Sequence, residues 1–289
     1  MLKRFLHYYR PYIGLTALDL FCALALGLAD LVFPAATKQV VDFIVPQGGL
    51  GALGRFAVLL VLLYITRAGL EFILGFYGHV LGVKIQHDMR RDIYKHLHSL
   101  DTSFFDDTKT GQIMSRIISD LFDLAEISHH LPEDIIIACV RLGGSLIIML
   151  SLDWRLAMVV FAVVPVQIVF SSTFRGKFRR AFKRNKETMA SINERIEESV
   201  SGVRVVRAFG NEGFEVKRFD DGNAAFKRSR IESVFHIGVF STGVSLLSNL
   251  GLVVVLIAGG YSVVKGSASL GTYVAFALYV QRFFQPIEM

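Results

Sequence analysis

Six windows of mostly apolar residues constrain the fold of this chain more than any other feature. A helix needs about 20 predominantly apolar residues to cross the hydrocarbon core of a bilayer, and each window is close to that length or longer. The windows cover approximately residues 13–44, 56–82, 132–152, 155–174, 235–263 and 271–288. Hydrophobic residues occupy 53% of the 289 positions, which is more than a soluble domain of this length normally carries. The sequence therefore predicts an all-α membrane protein with six transmembrane helices.

The connections between the windows alternate between short and long. Residues 46–54, 151–154 and 265–271 are short, whereas residues 83–130 and 175–230 are long, polar and free of proline. Apolar residues recur in both long connections at helical spacing. Each long connection is therefore predicted to be a helical hairpin outside the membrane. An arm of about 25 residues would project roughly 35 to 40 Å from the bilayer.

The basic residues predict the orientation of the chain. Of the 31 lysines and arginines, 24 lie before the first window or in the two long connections. Cytoplasmic segments of membrane proteins carry this excess of positive charge. We therefore expect both termini and both hairpins to be cytoplasmic, in an integral protein of a bacterial plasma membrane. The same placement explains the basic isoelectric point without a nucleic acid partner.

Charged residues inside the apolar windows are candidates for the substrate cavity, because such residues are costly in lipid and usually face a partner or water. Asp30, Arg67 and Arg141 lie at similar depths from the outer ends of their windows, so they can share one polar layer. Glu71 follows Arg67 by four residues and can pair with it on one helix face. The charges then either neutralise each other or line a cavity and affect substrate choice.

The sequence predicts neither a catalytic site nor a metal site. The two cysteines, Cys22 and Cys139, both lie in apolar windows, which excludes a thiolate zinc site. Among the eight histidines, His129 and His130 are adjacent, and neighbouring side chains on a helix are expected to point apart.

Several short motifs resemble the transmembrane domain of type I ABC exporters. Residues 100–106 (LDTSFFD) and residues 110–120 resemble the first intracellular loop of that family, and residues 202–212 (GVRVVRAFGNE) resemble its second. The DWRL motif at 153–156 and the aromatic segment 271–287 also agree with it. The resemblance therefore covers nearly the whole chain.

The resemblance implies a dimer of two such domains, homomeric or heteromeric, in which spans four and five cross to the partner domain. It also implies short coupling helices at the hairpin tips that dock on nucleotide-binding domains. The residues implied for the first coupling helix are Ser103, Phe104, Phe105, Asp106 and Thr108, and those for the second are Val206, Arg207, Ala208, Phe209 and Glu212. In the alternative, the phenylalanines pack between the hairpin arms.

ATP and Mg²⁺ are expected in the nucleotide-binding domains, which we expect outside this chain. An ATPase needs a glycine-rich loop that ends in Lys and Ser or Thr, and residues 266–272, the nearest match, lack the lysine. The resemblance thus implies that residues 1–289 are one transmembrane domain of an exporter that works by alternating access and hydrolyses ATP once assembled. The alternative is a non-ATPase membrane receptor or channel whose basic hairpins bind an anionic partner.

Overall fold

The computed structural model describes residues 2–108 and 110–288; Met1, Lys109 and Met289 of the predicted domain lie outside the described residues. Every regular element in these two ranges is helical, so the prediction of an all-α fold is confirmed. The α-helices are α1 (Leu2–His7), α2 (Ile13–Gln39), α3 (Leu50–Leu97), α4 (Thr102–Asp107), α5 (Thr110–Ser115), α6 (Leu121–Leu152), α7 (Trp154–Ser201), α8 (Val203–Ala208), α9 (Glu212–Val264) and α10 (Leu270–Glu288). A 3₁₀ segment covers Arg10–Tyr12, and π-helical segments cover Val40–Ile44 and Arg116–Asp120.

Three helices are much longer than a membrane span. Helices α3 and α7 each contain 48 residues and α9 contains 53. At 1.5 Å per residue these helices are roughly 70 to 80 Å long, more than twice the thickness of the hydrocarbon core. Each therefore joins a predicted span to a predicted hairpin arm without a break in the helix.

Five helical stretches of the described residues are long and apolar enough to cross a membrane. They are Arg4–Ile44, Leu50–Leu97, Ile113–Leu152, Trp154–Ser201 and Glu212–Val264. The sixth predicted span corresponds to α10, which has 19 residues but is less apolar because it carries Gln281, Arg282 and Gln285. Four of its five aromatic residues are nonetheless buried, namely Phe276, Tyr279, Phe283 and Phe284. The Tyr279 hydroxyl donates a hydrogen bond of 2.8 Å to the carbonyl oxygen of Leu31.

The helices fall into two compact units. The first consists of Met1–Arg155 and Ala258–Pro286, and the second of Leu156–Ile257 and Ile287–Met289. The first unit thus holds α2, α3, α6 and most of α10, and the second holds most of α7, α8 and most of α9.

The core of the first unit lies where α2, α3 and α6 pack together. Cys22 and Leu26 of α2 are buried against Leu74 of α3. Helix α2 also comes close to α6 at Gly27, where an added Cβ would lie 2.9 Å from the Cβ of Val140. Small residues allow helices to approach closely in membranes, where packing rather than water exclusion drives association.

The second unit is an antiparallel helical hairpin, as the sequence predicts for residues 175–230. The hydroxyl groups of Thr188 in α7 and Ser229 in α9 are hydrogen-bonded at 2.7 Å. The Ser233 hydroxyl donates to the carbonyl oxygen of Ala181 at 3.1 Å. Farther along the pair, Gln167 donates a hydrogen bond of 3.0 Å to the Ser248 hydroxyl. These side-chain contacts join α7 to α9 at several positions along their length.

Candidate functional site

The three charged residues predicted to share a layer meet in the first unit. The Arg141 Nε donates to Asp30 Oδ2 at 2.9 Å, and the Arg67 Nε donates to Asp30 Oδ1 at 3.2 Å. Arg67 also binds Glu71 Oε2 through Nη1 at 2.9 Å. The side chain of Asp30 is 1% exposed and that of Glu71 is 62% exposed. Asp30 of α2 is therefore a buried anion held between cations of α3 and α6.

This charge network leaves little free space. The cavity beside Asp30 and Arg67, which Tyr64 and Arg282 also line, has a volume of about 10 Å³. That is close to the minimum for one water molecule. The structure thus contains the predicted Arg67 to Glu71 pair and extends it to Asp30 and Arg141. Contact of these four residues with a transported molecule stays a prediction.

The first hairpin tip carries the short helix α4, as expected for a coupling helix. Asp101 before the helix and Thr108 after it both have an extended backbone conformation, and these two residues mark the ends of the helix. Phe105 is 46% exposed and its ring packs edge to face on that of Phe104, with the ring centroids 5.4 Å apart. Ser103 and Asp106 are exposed.

The second tip carries helix α8 and ends in a defined backbone motif. The amide of Gly210 donates to the carbonyl of Arg207 at 3.3 Å, and the amide of Asn211 donates to the carbonyl of Val206 at 3.0 Å. These two bonds form a Schellman motif, whose C′ residue needs a positive φ, and Gly210 has a φ of 61°. The motif leaves Phe209 81% exposed. The alternative in which Phe209 packs between the hairpin arms is therefore wrong.

An apolar groove lies beside α8, between the ends of α7 and α9. Its volume is about 470 Å³. Its apolar lining includes Val200, Val203, Val206, Val216 and Phe219. Arg207 and Glu212, two residues predicted for the second coupling helix, also line it. An exposed phenylalanine next to such a groove has the character of a docking surface for another protein.

A cluster of histidines at the hairpin end of predicted spans two and three was not expected. The ring centroids of His129 and His130 are 4.2 Å apart, and that of His79 lies 4.6 Å from His129 and 5.3 Å from His130. The expectation that the adjacent rings of His129 and His130 point apart is wrong. Glu126 completes the group, with its Oε2 3.6 Å from Nε2 of His130.

Glycines of α3 make room for this cluster. An added Cβ on Gly82 would lie 2.9 Å from Nδ1 of His129, and one on Gly78 would lie 2.9 Å from Asp19 Oδ1. Gly78 and Gly82 are four residues apart and hence on one face of α3. This GxxxG spacing next to His79 is the sequence signal for the cluster, although it names no partner helix.

Comparison with known proteins supports the resemblance to ABC transporters that the tip sequences suggest. A family model for the ABC transporter transmembrane region matches residues 16–287. An uncharacterized ABC transporter ATP-binding protein, YwjA, of Bacillus subtilis (strain 168) is 35% identical over 100% of this chain and 50% of its own length. An ATP-dependent lipid A-core flippase of Syntrophus aciditrophicus (strain SB) is 26% identical over 99% of this chain and 48% of its own. The chain spans about half the length of these relatives. The chain therefore belongs to the family of ABC transporter transmembrane regions.

Proposed function

We propose that this chain is the membrane-spanning half of an ATP-driven exporter that moves its substrate by alternating access. The observation that carries the proposal is the family match over residues 16–287, which includes both hairpins as well as the spans. A relative that aligns over 99% of the chain is named as a flippase that depends on ATP. The alternative, a receptor or channel that uses no ATP, has no support among the relatives described above.

The hairpin tips would couple the membrane helices to nucleotide-binding domains that bind ATP and Mg²⁺. Phe209 is the most exposed aromatic residue of the two tip helices and their caps, and the groove beside it offers apolar surface for a partner. A rigid helix that ends in an apolar anchor transmits a displacement along its length. In this proposal α8 and α4 follow the nucleotide-binding domains, and α7 and α9 carry the movement into the membrane.

A second transmembrane domain, identical or different, would complete the substrate pathway. The network of Asp30, Arg67, Glu71 and Arg141 would line that pathway when the helices separate. The opened pathway would present two carboxylates and two guanidinium groups in an otherwise apolar surface, which suits an amphipathic substrate with a charged group. The orientation that we propose places both termini and both hairpins in the cytoplasm, because the basic residues gather there.

Replacing Phe209 with Ala tests the coupling. The chain, with Cys22→Ala and Cys139→Ala to remove its own thiols, would be assembled with its nucleotide-binding domains in lipid nanodiscs. It would carry spin labels at Ser267→Cys in the turn before α10. We expect ATP with vanadate to change the distance between the labels of the two membrane domains. In the Phe209→Ala variant we expect ATP turnover to persist and this change of distance to be lost, because truncation removes the anchor.

Phe235→Ala is the matched control, because Phe235 is also exposed, at 64%, but lies on α9 far along the chain from the tip. It should leave the distance change intact. If the Phe209→Ala variant keeps the full change in label distance, only the proposed role of the second tip is contradicted. An assembly without ATP turnover, or with turnover that never changes the label distance in the parent protein, would overturn the ATP-driven function itself.

A further inference from the structure

We propose that His79, Glu126, His129 and His130 form a binding site for a divalent transition metal, with Zn²⁺ as the preferred ion. The site would join α3 to α6 beside the first hairpin. It is separate from the proposed export function, because none of its residues belongs to the coupling tips or to the Asp30 network.

The four side chains are already close enough to share one ion. One ligand atom from each residue can be chosen so that all four lie within 4.8 Å of one another. Zinc binds histidine nitrogen at about 2.0 to 2.1 Å in a tetrahedron, which corresponds to about 3.4 Å between neighbouring ligand atoms. Side-chain rotations that move these atoms by roughly 1 Å would therefore complete the tetrahedron.

The hydrogen bonds of two rings leave the correct nitrogen free for a metal. Nδ1 of His79 lies 2.6 Å from the carbonyl oxygen of Gly75, and Nδ1 of His129 lies 3.1 Å from that of Ala125. A carbonyl oxygen only accepts, so each Nδ1 carries a proton, and in the neutral ring Nε2 then keeps a lone pair. Metal-binding histidines characteristically donate their second nitrogen to a carbonyl or carboxylate in this way.

Nε2 of His129 has no other bonding partner in the described part of the chain. His129 is 2% exposed, and its Nε2 is buried without a hydrogen-bond partner among the described residues. Burying an acceptor without a partner costs free energy. A metal ion at Nε2 would remove this cost, and the fully buried ring would be fixed in the orientation that binding needs.

The electrostatics around the rings also favour a cation. His130 lies between two carboxylates, with Nε2 3.6 Å from Glu126 Oε2 and Nδ1 3.7 Å from Glu133 Oε2. Glu133 is 5% exposed and Asp19 is 2% exposed, so two carboxyl groups are buried near the rings. Buried carboxylates are costly unless a positive charge or a proton compensates them. A divalent ion next to them supplies that charge.

The ligand set selects the class of metal. Three imidazoles and one carboxylate suit Zn²⁺, Cu²⁺ or Ni²⁺, whereas Mg²⁺ and Ca²⁺ prefer all-oxygen ligands. Four protein ligands with no open position are typical of structural zinc sites. His79 and His130 are exposed, so an ion can reach the site from the surface. The proposed role is a clamp between two helices rather than catalysis.

The test is metal binding by the purified protein in lipid nanodiscs, isolated through a tag without histidine and stripped with a chelator. Zn²⁺ would be titrated in competition with a chromophoric chelator, and Co²⁺ would report the coordination geometry through its visible absorption. We expect one Zn²⁺ per chain and an intense tetrahedral Co²⁺ spectrum. Because even loss of a residue behind the ligands costs 10- to 100-fold in affinity, His79→Gln with His130→Gln should weaken Zn²⁺ binding by about 100-fold or more.

His87→Gln is the matched control, because His87 lies on α3 like His79 but outside the cluster. Its side chain is 72% exposed. It should bind Zn²⁺ like the parent, and equal thermal unfolding of the stripped proteins would show that the double variant is folded. The proposal is overturned if the parent binds no Zn²⁺, which would leave protons to neutralise Asp19 and Glu133. It is also overturned if the double variant binds as tightly as the parent, or if Mg²⁺ displaces Zn²⁺ at equal concentration.

Discussion

Asp30 shows at the scale of one residue how the membrane part of this chain accommodates charge. Its carboxylate accepts hydrogen bonds from Arg67 and Arg141, and only 2% of the residue is exposed. A buried ion pair contributes little net stability compared with apolar residues of the same shape. Removing one member is nevertheless strongly destabilising, because the charge that remains is buried without compensation.

Asp30→Asn is therefore expected to destabilise the protein by about 3 to 5 kcal/mol, because it removes the only anion that contacts Arg141 in the described network. Thermal unfolding of the purified protein in detergent measures the effect. Glu198→Gln is the control, since the Glu198 side chain is 52% exposed in the hairpin outside the predicted spans and its pair with Arg218 should contribute about 1 kcal/mol or less. Equal unfolding temperatures for the two variants would contradict this account of Asp30.

The sequence predicts the members of the charge network but only part of their contacts. The depth argument places Asp30, Arg67 and Arg141 in one layer, and the structure joins them. The contact of His79 with His129 could not be predicted in the same way, because it depends on which faces of α3 and α6 meet. Periodicity shows where a side chain lies on its own helix and leaves the rotation of the neighbouring helix open.

At the scale of the helices, hydropathy predicts the order of spans and hairpins. The helices, however, continue through the predicted boundaries between span and hairpin. The span predicted at 56–82 and the arm that follows it are a single helix, Leu50–Leu97. A change from lipid to water changes the side chains that suit a helix without interrupting its hydrogen bonds. The π-helical segments at Val40–Ile44 and Arg116–Asp120 also have no periodic signal in the sequence.

The close crossing of α2 and α6 gives a prediction at this scale. Gly27→Ala should destabilise the protein by about 1 to 3 kcal/mol, because the new Cβ would lie 2.9 Å from the Cβ of Val140, which cannot rotate away. Gly143→Ala on α6 should be neutral or stabilising by up to about 1 kcal/mol, because an added Cβ meets nothing within 4 Å there and alanine favours a helix.

Urea unfolding in mild detergent, followed by the fluorescence of the single tryptophan, Trp154, would compare these two glycine variants. If Gly27→Ala unfolds at the same urea concentration as the parent, then α2 and α6 are not held at the distance that the structure shows. A loss of stability in Gly143→Ala would mean that its face of α6 is covered by another chain.

At the scale of the whole molecule, the distribution of charge controls how the chain inserts in a membrane. The two long hairpins carry 21 of the 31 basic residues, and the short connections carry almost none. Translocating those hairpins would move that charge across the bilayer, so insertion with the hairpins inside is favoured. The fold alone fits either orientation, and the proposed one rests on the placement of the basic residues.

Impermeant thiol labelling of the chain in a bacterial inner membrane tests this orientation. In a background with Cys22→Ala and Cys139→Ala, Ser267→Cys, in the exposed turn before α10, should react from outside intact cells. Ser201→Cys, at the end of α7 beside the second tip, should react only after the cells are permeabilised, because the 15 basic residues in 175–230 are expected to retain that hairpin in the cytoplasm. Both positions are exposed, so both should react in detergent. Labelling of Ser201→Cys in intact cells would place the coupling tip on the side without ATP, and both the orientation and the coupling proposal would then have to be abandoned.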